Sequence, residues 1–313
     1  MRRVLNFLRK ANSRMFVRKS RKLPPTDLSG QAAQDYIRAC IEGPNALMVA
    51  RFGYTELDCM TKYQASKLGL AKYARYIRGT INNYEIDEIS LREMTMQSGF
   101  FPSTVANLER FSELMINDAP CVDVLGSWLD NEIHFAQELK NTVRIPLSDI
   151  EPYYHLNPWS SALRGMKVLV IHPFEATIRS QFERREKIFR NKDVLPEFEL
   201  KTIKAVQAVV GTKTDFDDWF DALDSMKTQA DKIDFDVAII GCGAFGFPLA
   251  AHIKRMGKKA IHMGGATQLM FGIIGRRWMD NNRIMSMVNE NWVGPSANET
   301  PRDYKKMEDG AYW

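Results

Sequence analysis

Four stretches of the chain carry residue types that can do chemistry. The first is Gly241-Cys-Gly243-Ala-Phe-Gly246, a GxGxxG directly after the apolar run Phe235–Ile240. Glycines there permit a tight turn and the close approach of a phosphate to backbone N–H groups. A helix opening at the turn adds a favourable dipole. A dinucleotide site also needs an acid about 20 residues on to hold the ribose. The next apolar run ends Ala260-Ile261-His262-Met263-Gly264-Gly265, without Asp or Glu. The motif therefore reads as a nucleotide or phosphate turn rather than an NAD site. Tight strand–helix packing without a ligand would use the same glycines.

The second stretch is Gly264-Gly265-Ala-Thr-Gln268, followed by Arg276-Arg277-Trp278. Gln268 could read a base or sugar edge, Arg276 and Arg277 could meet phosphate, and Trp278 could stack on a ring. A helix with a basic end is the plainer reading. The third is His172, closing the run Lys167–His172 ahead of a helix that carries Gln181 and several arginines. A histidine at a strand end sits where a ligand would, although a lone histidine is often structural. The fourth is Arg51-Phe-Gly-Tyr-Thr-Glu56, where a strand runs into a charged turn. Arg51 could neutralise phosphate, and Glu56 could hold a divalent cation or act as a base. His134, His155, His252 and His262 share no ligand spacing, and no GxSxG, P-loop or HExxH occurs.

These stretches need elements to hold them. Apolar runs at Ala46–Ala50, Cys121–Leu125, Val143–Leu147, Lys167–His172, Ile203–Val210, Phe235–Ile240 and Lys259–Met263 read as strands. Helical patterns fall at Glu56–Arg75, Val105–Ile116, Leu129–Lys140, Ala176–Arg190, Phe216–Lys232, Phe245–Met256 and Thr267–Ile274. Short, nearly continuous apolar strands alternating with helices predict an α/β fold, a mostly parallel Rossmann-like sheet covered by helices. Such sheets bind ligands at the carboxyl ends of strands, where all four stretches lie. The uncharged run Val237–Ile253 is broken by three glycines and Pro248, so it reads as strand, turn and helix rather than a membrane span.

Taken in order, Arg51-Phe-Gly-x-x-Glu56, His172-Pro-Phe with Gln181, Gly241-x-Gly-Ala-Phe-Gly246, Gly264-Gly-Ala-x-Gln268 and Phe271-Gly-x-x-Gly-x-Arg-Trp278 resemble bacterial proteins with a GT-D-like fold. That group is related to the GT-D glycosyltransferases and tied to surface-polysaccharide assembly. The resemblance spans residues 30–295. It implies a glycosyltransferase that uses a nucleotide sugar, a UDP-sugar, with a glycan or lipid-linked acceptor and Mn²⁺ or Mg²⁺. It places Glu56, Arg51 and His172 in catalysis, with Glu56 on the metal. The donor would meet Gly241, Gly243, Gly246, Gly264, Gly265, Gln268, Arg276 and Trp278. The better-known members carry Asp-x-Glu after the first strand. Here the Asp position is Tyr54, so a cation held by Glu56 would take further ligands from diphosphate and water. A Rossmann-type NAD(P) oxidoreductase and a non-catalytic nucleotide-sugar-binding protein are the alternatives.

Charge narrows the partners. The 313 residues carry 43 Lys and Arg against 38 Asp and Glu, a net +5. Nine basic residues and no acid fall within residues 1–22, which leaves the rest of the chain at −4. That argues against nucleic acid, which needs basic residues across the fold. Val4, Leu8, Ala11 and Met15 follow helical spacing before Pro24-Pro25, so residues 1–25 form a basic amphipathic segment. It could serve as a peripheral foot on an anionic membrane or as a leader packed on a partner. An α/β domain over 26–295 follows, in two halves meeting near 150–165, then a polar tail over 296–313. Cys40, Cys59, Cys121 and Cys242 have no CxxC spacing and read as reduced thiols. With no secretory signal, a cytoplasmic protein is expected, peripheral on the inner face of the membrane.

Overall fold

The computed structural model describes residues 1–15, 23–207 and 214–313. Residues 16–22 of the basic segment, and the end of the strand expected over Ile203–Val210, lie outside them. The elements run α1 (Arg2–Met15), α2 (Gln31–Glu42), β1 (Leu47–Ala50), α3 (Tyr54–Ser66), α4 (Ala71–Arg78), α5 (Glu88–Ser98) and α6 (Val105–Asp118). Then come β2 (Val124–Ser127), β3 (Val143–Pro146), β4 (Lys167–His172), α7 (Glu175–Glu183), β5 (Glu199–Lys204) and α8 (Trp219–Asp231). The chain closes with β6 (Val237–Ile240), α9 (Gly246–Arg255), β7 (Lys259–His262), α10 (Thr267–Met270), α11 (Asn282–Met285) and several 3-10 turns.

The seven strands form one all-parallel sheet in the order β3-β2-β1-β7-β6-β4-β5. Alternation along each strand builds a hydrophobic layer on either face. Met48, Ala50, Ala238 and Ile240 point to one layer, with Leu57 and Met60 of α3, Phe111 of α6 and Leu249 of α9. Leu47, Val49, Val237 and Ile239 point to the other, with Ile37 and Ile41 of α2, Ile178 of α7, and Trp159 from the 3-10 turn Trp159–Leu163. Both faces are covered, so the central strands β1 and β6 are buried throughout. This is the α/β, Rossmann-like arrangement that the apolar runs predict. Strand, glycine turn and helix also account for the uncharged run Val237–Ile253. No helix among the described residues is long and apolar enough to cross a membrane. All four cysteines are free.

Several boundaries differ from the sequence expectation. The helix expected over Glu56–Arg75 is two helices, because Gly69 takes a left-handed φ of +57° between α3 and α4. Over Leu129–Lys140 the chain forms only a 3-10 turn, Asp130–Phe135. There Glu132 folds back to accept the N–H groups of Trp128 and Leu129 at 3.0 and 3.1 Å. The strand expected from Cys121 starts at Val124, since Pro120 opens a 3-10 turn over Ala119–Cys121. The last strand before α8 lies earlier than expected, over Glu199–Lys204. As an edge strand it tolerates charged residues that a central strand would not.

Candidate functional site at the strand ends

A cavity of about 640 Å³ opens at the carboxyl ends of the strands. All seven strand exits contribute to its wall. Arg51, Gly53 and Glu56 follow β1; Trp128 follows β2; Leu147 and Glu151 follow β3. His172 ends β4, Gln207 lies beyond β5, Gly241 and Gly243 follow β6, and Gly264 and Gly265 follow β7. The parallel fold thus brings together four stretches spread over more than 200 residues of sequence, as such sheets do.

Arg51 is the central cation. Its guanidinium lies 4.8 Å from the Trp128 ring centroid. Trp128 is itself fixed by its Nε1–H, which donates to the Phe52 carbonyl at 2.9 Å. Burial pulls the Arg51 pKa below its usual value, while the nearby charges of Glu56 and Glu151 act the other way. Among the described residues no hydrogen bond or ion pair holds the guanidinium, and Arg51 lines the cavity.

Glu56 stands in the first turn of α3, where the helix dipole favours a carboxylate. It is 8% exposed and accepts the Thr55 hydroxyl at 3.0 Å. Thr55 Oγ1 also lies 2.6 Å from Ser98 Oγ at the end of α5. The carboxylate packs on Gly53, where any Cβ would overlap it. Tyr54 is 60% exposed at the cavity rim. Among the described residues no group of three His, Cys, Asp or Glu side chains is placed to hold a metal. The donor set fits a cation only as one carboxylate plus oxygens brought by a ligand.

His172 is buried, and burial holds its pKa down to about 3. Its Nδ1 accepts the Phe174 N–H at 3.0 Å, which leaves the ring proton on Nε2. It is a neutral donor at pH 7. His262 is also held down to about 3, by burial first and then by the Arg51 charge.

The two glycine turns abut. A Cβ at Gly241 would come within 2.6 Å of Thr267 Cβ and 2.7 Å of the Gly264 carbonyl. The Gly241 N–H is already donated to the Ile171 carbonyl at 3.0 Å. Gly243, which opens the 3-10 turn Gly243–Phe245, lines the cavity. Gly246 does not line the cavity; it lies under the His262 ring, which a Cβ there would overlap. Gln268 lines the cavity, but its Nε2 is spent on the Ile273 and Tyr312 carbonyls, both at 3.2 Å. Trp278 lines it and meets the Tyr312 ring edge-on at 5.9 Å. Arg276 does not line it: its N–H bonds the Trp313 carbonyl at 3.1 Å and its side chain stays outside.

Tyr312, Trp313 and Glu151 line the cavity without having stood out in the motifs, and Arg277 belongs with them. Arg277, weighed there only alongside Arg276, faces the cavity and donates to Tyr312 Oη at 2.6 Å. Tyr312 and Trp313, at the end of the polar tail, fold back over Gly265 and Phe174. Glu151 is pushed up in pKa by burial, against its hydrogen bond from Tyr153 at 2.7 Å. Its position just past β3 was the available signal, and the strand-end rule applied to every strand would have found it.

No family model matches the chain, and no curated protein matches it. Among solved structures it is similar to one described as "Selenomethionine substituted structure of domain of unknown function 1792 (DUF1792)". That match has 12% identity and a TM-score of 0.46 over 97% of this chain and 98% of the other. The chemistry of the cavity has to be read from its own residues.

Proposed function

We propose that the protein is a glycosyltransferase that moves a sugar from a nucleotide sugar, a UDP-sugar, to a hydroxyl of a glycan or lipid-linked acceptor. Surface-polysaccharide synthesis is the setting. One observation carries the reading: a half-buried guanidinium over the Trp128 ring, bonded to no carboxylate among the described residues, lines a cavity that also holds acids. A diphosphate supplies the paired oxygens that such a fork recognises. Arg51 and Arg277 would stabilise the charge that develops as the bond from the sugar to the diphosphate breaks. The Gly243 N–H offers a further donor. His172, neutral and protonated on Nε2, would donate a hydrogen bond without adding charge. The acceptor oxygen forms the new bond to the anomeric carbon, and its proton passes to a carboxylate. Glu56 takes that role or receives a divalent cation with the donor diphosphate.

Turnover of a panel of UDP-sugars tests this. Wild type should release UDP from at least one donor in the presence of acceptor. Glu56→Gln should lower that rate by about a thousandfold with its unfolding midpoint nearly unchanged. Equal rates would remove Glu56 from the mechanism. The second reading is a nucleotide-sugar-binding protein without turnover. Tyr54 in the place of the second carboxylate favours it, and tight binding with no UDP release from any donor would establish it.

A further inference from the structure

The first helix lies on the body with its polar face inward. Arg2 Nη2 meets Asp87 Oδ2 at 2.7 Å. Arg9 Nη1 donates to the Ile81 and Asn82 carbonyls at 3.0 and 3.1 Å, and the guanidinium lies 4.3 Å over the Tyr76 ring. Tyr76 donates its hydroxyl to Asn6. Residues 2, 6 and 9 share one face at helical spacing. Leu5 turns in beside them, 8% exposed, against the small cluster of Ala65, Ile81 and Tyr84.

The opposite face is apolar and bare. Val4, Phe7 and Leu8 are 61%, 71% and 41% exposed, and Met1 is 78% exposed. A surface helix of a globular body normally turns its apolar stripe inward; α1 turns it to solvent. Arg3 and Lys10 are exposed on one flank of this stripe. No acidic residue occurs anywhere in residues 1–22.

We propose that this face docks on an anionic lipid surface, with Val4, Phe7 and Leu8 in the headgroup boundary and Arg3 against lipid phosphate. Cations flanking a bare apolar stripe match such a surface. They oppose a second copy of the chain. A two-fold contact through this face would bring two acid-free helices together and repel. The inference holds whatever the strand-end cavity binds, so its failure leaves the transferase reading untouched.

Flotation of the full chain with vesicles tests it. Wild type should float with phosphatidylcholine mixed with phosphatidylglycerol, weakly with phosphatidylcholine alone, and less as salt rises. Phe7→Asp should weaken binding at least about tenfold, and Arg3→Glu about fivefold. Both sites are exposed, so the thermal midpoint should not move. Leu156→Asp, at an 87% exposed leucine elsewhere, should float like wild type. Three results would overturn the proposal: no flotation of wild type, equal flotation of Phe7→Asp, or equal loss in Leu156→Asp. A lipid-free dimer in sedimentation that Phe7→Asp breaks would overturn it too, and assign the face to a copy of the chain.

Discussion

His172 and His262 show how a strand end decides the state of a side chain. Each imidazole ends an interior strand of the sheet, and burial holds both near pKa 3, well below the ordinary 6.5. The folded state therefore stays neutral while the unfolded chain takes up protons below pH 6.5. The unfolded state binds more protons in that window, so stability falls as pH drops from 6.5 towards 3. Each histidine contributes up to about 1.4 kcal/mol per pH unit to that slope. His172→Gln should remove one of the two contributions. Urea unfolding between pH 6 and 4.5 should show a shallower loss in the variant than in wild type; parallel curves would contradict the buried neutral assignment. From sequence, His172 stood out only by closing an apolar run. Its neutrality was not legible, because burial of a strand end is set by the folded sheet and not by the local spacing. Arg276 and Arg277 make the same point, since two adjacent residues of one type point to different places.

At the scale of elements, the GxGxxG joining β6 to α9 turns out to be three glycines with three reasons. Gly241 makes room for the neighbouring turn, and Gly243 holds a left-handed φ of +56°. Gly246 makes room for the His262 ring. A motif match therefore overstated the glycines available to a phosphate. Gly246→Ala should force apart the α9–β7 packing and cost about 1–3 kcal/mol in a urea titration. An unchanged midpoint would show that the ring moves aside freely. The strands themselves were legible because parallel strands buried on both faces read as apolar runs. Boundaries set by a backbone conformation were less so: Gly69 divides one helical pattern into α3 and α4, and nothing in the apolar spacing marks the break. The closing 3-10 turns were invisible to periodicity altogether. Their contact with the site depends on Tyr312 and Trp313 finding rings and glycines that precede them by tens of residues.

For the whole molecule, one parallel sheet gathers seven strand exits into a cavity lined by Arg51, Arg277, Glu56 and Glu151. The surplus positive charge of the chain is elsewhere, in residues 1–22, where α1 presents a bare apolar face. The proposed donor site and the proposed lipid contact thus occupy separate places in the molecule, each testable without the other. The donor claim is met most directly by calorimetric titration of the full chain with UDP, UDP-sugars and NADH, with and without Mn²⁺. The account predicts binding of UDP and at least one UDP-sugar, at least about tenfold weaker in Arg51→Ala, and no comparable heat from NADH. Tight NADH binding with no response to any uridine nucleotide would contradict it.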